Sequence, residues 1–318
     1  MCDFPCSGYR LQFPSIGLAE IILQSAGDLG SGTDTWVNVG GSVLGTGAIM
    51  AFDITNSPDV TKQFYRVGMT VLGGGPTPYV SFDSTINPAY SNAWTSGSNG
   101  GRGFGPWTLM ETSTNISSDG FFIGSSTNNG NGTNDIDVGG RSWGLYANGG
   151  DLAVAYRAFS NSLAIGGALR IDMDNGYVNA TGTVGFVLRN GNVTSNPTNY
   201  TTGTRLQFLY VGFDSSNSYK VVDSGGEHNL GVPFTGTGLH LLFTLNNTNT
   251  YTLLTIDNAS GTTNSTFGGT LAGTAGSTVD SIALFNNNAG PGSANASTST
   301  RCRRSALEVR ITASEVAG

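Results

Sequence analysis

Between residues 141 and 190 short apolar runs follow one another, and Gly, Asn or Asp ends each: LAVAYRAF, ALRIDMD before NGYVNATG, and VGFVLRN before GN. Runs of this length between turn-forming residues are strands joined by tight turns. Because side chains alternate along a strand, Arg170, Asp172 and Asp174 share one face of RIDMD, and Ile171 and Met173 share the other. One polar and one apolar face describe a half-buried sheet. The rest of the chain repeats this spelling, with 48 Gly spread among Val, Ile, Phe, Tyr and Thr and few stretches rich in helix formers. The fold class is therefore all-β. With 16 Phe, 11 Tyr and only 11% charged residues, the composition also argues against disorder.

The strands fall into two groups. Residues 1–70 carry YRLQF, AEIILQSA, TWVNVGG, AIMAFDI and KQFYRVGM, enough for a small β-sandwich-like domain. AEIILQSA has some helical propensity, but it is short and set among strands, so it reads as a strand. VLGGGPTPY marks a Gly/Pro linker at residues 71–78. Residues 79–318 spell ten or more strands without a helical spacer, which implies two packed antiparallel sheets closing as a jelly roll. LQFLYVGF and LHLLFTL are nearly continuous apolar runs and predict strands covered on both faces. SYKVVDSGG and TYTLLTIDNASG alternate and belong nearer an edge. Residues 294–305 read either as a flexible loop or as a local frame error in the coding DNA, before ALEVRIT as the closing strand.

The net charge of −7 leaves no basic surface for nucleic acid, and the cluster Arg301, Arg303 and Arg304 reads as a solvated tail. Cys2, Cys6 and Cys302 build no disulfide framework, and a lone C-x-x-x-C is weak ground for a metal site. There is no run of 18 apolar residues to span a membrane, and no basic-then-apolar leader at the N-terminus. An acidic, Lys-poor, Asn/Thr-rich β-protein nevertheless suits the outside of a cell. The chain accordingly reads as a fragment of a longer secreted protein, extracellular or at the cell surface.

Four groups of residues carry candidate chemistry. Asp172 and Asp174 would stand about 7 Å apart on one strand face, a spacing compatible with acid and base work at a glycosidic bond. Glu227 beside His228 is a third candidate acid; the same residues also suit a polar outer face and a turn. Asn131, Asn134, Asp135 and Asp137, with Asn128 and two glycines, crowd one loop with oxygen ligands of the kind a structural calcium ion takes. Asn-rich turns are, however, common throughout this chain. Tyr90, Trp94, Trp107, Trp143 and Tyr146 sit among Asn, Ser, Gly and Arg, where flat rings with polar neighbours could stack on sugars; equally, they could be core. His228 and His240 lack the companions of a metal hydrolase, and His240 reads as a strand histidine with a satisfied ring.

YRLQF, ILQSAGDL and GTGAIMAF resemble small β domains near the C-termini of large secreted bacterial proteins. AYSNAWTSGSNGGRGFGPWTL, SWGLYANGG, LRIDMDNG, VGFVLRNG and ALFNNNAGPGSAN resemble a concanavalin-A-like (LamG-like) sandwich of bacterial surface proteins. The resemblance covers most of the chain. It departs where Ala296-Ser297 replaces the Asn-Asp step that usually leads into the last strand, and it lacks the E-x-D-x-x-E strand of concanavalin-like glucanases. It implies a non-catalytic module that binds polysaccharide or a cell-surface glycan, or serves adhesion, with calcium as the one expected cofactor. A polysaccharide hydrolase or lyase and a spacer without ligand are the alternatives.

Overall fold

In a computed structural model the described residues are 9–14, 19–27, 36–39, 43–44, 49–54, 64–71, 80–113, 118–126, 136–137, 140–176, 178–290 and 307–314. The chain divides into two compact units, residues 1–78 with 317–318 and residues 79–316.

The first unit contains β1 (Tyr9–Pro14), β2 (Ala19–Ala26), β3 (Val37–Asn38), β4 (Val43–Leu44), β5 (Ile49–Ile54) and β6 (Phe64–Val71). β1 and β5 pair antiparallel from Tyr9↔Ile54 to Pro14↔Ile49. β6 runs along the whole of β2, leaving the other edge of β2 to the short β3 and β4. AEIILQSA is a strand because Ile21 and Leu23, two residues apart, are both buried.

The second unit contains β7 (Val80–Phe82), β8 (Phe104–Glu111), β9 (Asp119–Gly124), β10 (Ser142–Ala147), β11 (Leu152–Phe159), β12 (Ala168–Asn175), β13 (Thr183–Arg189) and β14 (Thr204–Val211). Then follow β15 (Ser218–Asp223), β16 (Gly226–Pro233), β17 (Leu239–Leu245), β18 (Thr250–Asp257), β19 (Thr263–Thr270), β20 (Ser281–Asn287) and β21 (Leu307–Ser314). They form an eight-stranded sheet, β19-β18-β17-β12-β21-β10-β9 with β7 also on β21, and a seven-stranded sheet, β16-β15-β14-β13-β20-β11-β8. All pairings are antiparallel. The core lies between the sheets, where Leu169, Ile171, Leu241 and Phe243 of one meet Phe186, Leu188, Phe208 and Leu284 of the other. The expected all-β, two-sheet sandwich is what the chain forms. ALEVRIT lies in the interior of its sheet, with β12 on one side and β10 and β7 on the other.

One strand differs from expectation. LHLLFTL is β17, and it is buried on one face only, with His240, Leu242 and Thr244 half-exposed. Leu242 lies opposite Leu254 and Arg170, and these long side chains shield one another only in part. β11, β13 and β20 are instead buried on both faces.

Candidate functional site

The five aromatic residues expected at a sugar platform are in the interior. Tyr90, Trp94, Trp107 and Trp143 are at most 3% exposed, and Tyr146 is 6% exposed. Trp94 packs edge-to-face on Trp107 at 5.1 Å and on Phe121 at 5.5 Å, and Tyr90 does so on Trp143 at 5.3 Å. The polar neighbours that suggested a binding edge are used internally. Tyr90 donates to Asp83 and receives the Trp107 indole N–H at 3.2 Å. Asp83 pairs with Arg157 at 2.6 Å, both fully buried, and the guanidinium lies over the Phe104 and Trp107 rings. Burial pushes the Tyr90 hydroxyl up to about 12, although Arg157 nearby pulls the other way. Tyr90, Trp94 and Trp107 therefore hold the loop before β8 onto the core and, with Trp143, present no face to a ligand; Tyr146, on the other face of β10, lies 6.2 Å from Phe122.

The candidate acids fare similarly. Asp172 and Asp174 are each 1% exposed, so neither carboxylate can meet a substrate. Asp172 accepts from Arg170 Nε at 2.8 Å and lies 2.8 Å from His240 Nδ1, the ring nitrogen that Arg170 Nη2 also approaches at 3.0 Å, on the outer side of the eight-stranded sheet. His240 is thus satisfied, and its partner is the residue directly opposite it in register. Glu227 is exposed, and Lys220 Nζ holds it at 2.6 Å. His228 donates or accepts at Asp223, 3.1 Å away, and the buried Tyr251 hydroxyl donates to the same carboxylate at 2.8 Å. Of the proposed calcium ligands, Asn131, Asn134 and Asp135 lie outside the described residues. Asp137 accepts from the Ser125 hydroxyl, from Ser126 N at 2.6 Å and from Ser126 Oγ at 2.8 Å. Both its oxygens serve neutral donors, which clasp the ends of the loop together; among the described residues there is no group of three or more His, Cys, Asp or Glu of the kind that holds a metal.

The outer side of a water-facing sheet should be polar. On the seven-stranded sheet it is apolar in the middle strands and covered there: Val154, Tyr156, Val187, Ala283 and Phe285 are fully buried and Leu209 nearly so, while Gln207, Val222, Lys220 and Glu227 stay partly or fully exposed. Directly opposed residues share a face, so the pairings define two rows across all seven strands. The first runs Met110, Val154, Phe285, Gly185, Leu209, Lys220, Asn229. The second runs Thr108, Tyr156, Ala283, Val187, Gln207, Val222, Glu227. Each row is apolar through its middle strands and polar toward β16. At the polar end Lys220 bridges Asp214 at 2.9 Å and Glu227 at 2.6 Å. Its hydrogen bond to Glu227, then that to Asp214, holds the ammonium above its ordinary value.

The segment 190–203 folds over the apolar end. Arg189 Nε donates to Thr202 O at 2.9 Å, and its Nη2 donates to Val193 O at 2.8 Å. The guanidinium also lies 5.0 Å over the Tyr156 ring. The Tyr156 hydroxyl reaches Asn196 O at 2.7 Å and Pro197 O at 2.9 Å, and burial pushes it up to about 12. Asn196 caps the short 3-10 turn Pro197–Thr201 by accepting from Thr198 N at 2.9 Å. Gly203 closes the segment with φ of 74°, where a Cβ would stand 2.1 Å from Asn190 O. Tyr200, half-buried, lies on Phe285 with ring centroids 4.8 Å apart. Beside it the segment exposes Asn196 and Thr198, amide and hydroxyl groups suited to sugar hydroxyls. Sequence reading overlooked this face. Its signal was the continuous apolar text of LAVAYRAF, VGFVLRN and SIALF, which marks strands covered on both sides.

No family model matches the chain, and no curated protein does. Among solved structures it is similar to the Emp46p carbohydrate recognition domain in its potassium-bound form, at 13% identity over 65% of this chain and 87% of that one, TM-score 0.34. It is likewise similar to the Bacillus licheniformis β-glucanase, at 13% identity over 65% and 98%, TM-score 0.33. A third is domain 4 of AbnA, a GH43 extracellular arabinanase from Geobacillus stearothermophilus, in complex with arabinotriose: 11% identity over 76% and 94%, TM-score 0.35.

Proposed function

We propose that residues 79–316 form a non-catalytic, concanavalin-like glycan-binding module whose site is the partly exposed strip on the outer face of the seven-stranded sheet that includes Tyr200, Val211 and Val222. The supporting observation is the strip left partly or fully open around the buried Phe285, Val187 and Leu209, which grades from Tyr200, Val211 and Val222 to Gln207, Lys220 and Glu227. A pyranose ring has an apolar C–H face and a polar rim, and it needs both kinds of surface side by side. Lys220 already bridges two carboxylates, so the rim has little positive charge to offer and favours a neutral glycan over an acidic one. The carboxylates at the polar end of this strip, Glu227 and Asp214, are both bound to Lys220, and Asp172 and Asp174 lie buried in the other sheet. We place the module outside the cell or at its surface, within a longer secreted protein, where polysaccharide is the available partner. No described helix is long and apolar enough to cross a membrane.

The test is affinity electrophoresis in gels of neutral and of uronic-acid polysaccharides, with a reducing-sugar assay run alongside. Retardation by a neutral polysaccharide without sugar release is expected. Tyr200→Ala should weaken that retention roughly five- to tenfold, the worth of one aromatic contact, with a modest fall in melting temperature from the packing lost on Phe285. Sugar release abolished by Glu227→Gln would establish an enzyme instead, and no retention on any polysaccharide would leave a spacer.

A further inference from the structure

Arginines of the second unit spend their terminal nitrogens inside the protein. Arg157 holds Asp83 and Asn99, Arg189 the carbonyls of Val193 and Asn199, and Arg205 those of Ala272 and Thr274. Arg66, on β6 of the first unit, is exposed and differs. Its Nε donates to Gln24 Oε1 at 2.8 Å, and Gln24 Nε2 donates to Asn38 Oδ1 at 2.9 Å. The guanidinium lies 4.3 Å from the centre of the Trp36 ring. Gln24 stands directly opposite both Arg66 and Asn38, so the three form one ladder across a single sheet face. Among the described residues, Nη1 and Nη2 have no partner and no carboxylate pairs with Arg66. An unheld surface arginine samples many rotamers. Here one edge and one face of the guanidinium are fixed from within, which leaves its outer edge of two parallel N–H groups presented in a set direction. Planar and bidentate, that edge matches a carboxylate.

The ground on either side of the ladder is apolar. Trp36 and Phe64 are half-buried on one side, and Ile22 is half-exposed on the other, opposite Gly68. A Cβ at Gly68 would meet nothing nearer than Gln24 Oε1 at 3.5 Å, so the sheet face is notched two residues from Arg66. We propose that the outer edge of Arg66 binds a singly charged carboxylate carrying an apolar group, on a small acid or at the end of a peptide. The charge of the ligand follows from that of the protein. A chain of net −7, whose residues 1–78 include more acidic than basic side chains, repels dianions and polyanions, and one carboxylate is the least charge that fills the fork. Its apolar group has Ile22 and the notch at Gly68 to lie against.

Titration of the full chain with isotope-labelled arginine tests this, read by NMR at the Nε–H resonance that Arg66→Lys removes. N-acetylphenylalanine should shift that resonance saturably, and its amide should not. Acetate and inorganic phosphate should bind at least about fivefold more weakly, acetate for want of the apolar contact and phosphate for its second charge. Gly68→Val fills the notch with a strand-forming side chain, so it should keep the melting temperature while lowering the affinity for N-acetylphenylalanine to that for acetate. An acetylated tripeptide ending in phenylalanine distinguishes the two sources: tighter binding than the amino acid supports a peptide terminus, and equal binding supports a small acid. Absence of a saturable shift with N-acetylphenylalanine overturns the proposal. So does an equal shift with the amide, phosphate binding as tightly as the acid, or an affinity that Gly68→Val leaves unchanged.

Discussion

Arg157 shows how a residue's neighbours decide its role. It lies on the inner face of β11, inside the sandwich, where an isolated charge would cost many kcal/mol. Asp83 neutralises it, Gly105 O accepts from its Nε and Asn99 Oδ1 from its Nη2, both at 2.9 Å, and Phe104 and Trp107 cover its faces. Asp119 is less well served. It is fully buried, and although Thr112 N and Ser113 N donate to Oδ2, Oδ1 has no hydrogen-bond partner among the described residues. Burial holds its carboxyl above the ordinary value; the Ser113 amide opposes this and Asp151 adds to it. Glu111 is raised as well, by burial first and by Asp119 second. A carboxyl raised on folding stabilises the fold below its unfolded pKa, and that contribution is lost as pH rises through the folded value. Asp119→Asn should therefore be more stable than wild type at neutral pH, with the gain shrinking as pH falls to about 4. Urea midpoints at both ends of that range check it, and an equal gain at both would exclude the raised carboxyl as its source.

At the scale of elements, the segment 190–203 is an irregular stretch made rigid by two buried side chains beneath it. Arg189 and Tyr156 between them take the carbonyls of Val193, Asn196, Pro197, Asn199 and Thr202. Burial lowers the Arg189 guanidinium from its usual value, and the nearby Tyr156 and Asp280 offset part of that. The return into β14 depends on Gly203, whose φ of 74° and contact with Asn190 O leave no room for a side chain. Gly203→Ala should cost about 1–2 kcal/mol or more, because left-handed backbone is strained for other residues. If the segment positions Tyr200 for a glycan, this variant also loses retention in the affinity gel, whereas a purely structural segment would lose stability alone.

For the whole molecule, the decisive pairing joins the ends of the second unit. β21, the last strand in sequence, is central in the eight-stranded sheet and matches β12 residue for residue from Ala168↔Ser314 to Asn175↔Leu307. A chain ending at residue 306 should thus lose the cooperative melt of the sandwich and become protease-sensitive across residues 79–290. Retention of a sharp transition would show that β12 and β10 can close without it. The strands themselves were legible, because an alternating apolar pattern with Gly and Asn stops depends on neighbours along the chain. LRIDMD and LHLLFTL were both recognisable as strands from that pattern alone. Which side of a strand meets water was not legible, because that depends on what lies across the sheet. Asp172 looked solvent-facing but lies under Arg170 and His240, and His240 is 68 residues away. Trp94 and Trp107 looked like a surface platform but became core once β9 and β10 brought Phe121 and Trp143 against them. The sequence by itself determined an all-β, two-sheet chain, since local periodicity sets strand and turn. Only the tertiary structure decided which polar residues are buried partners and which outer sheet faces are covered, since burial arises between segments far apart in the chain.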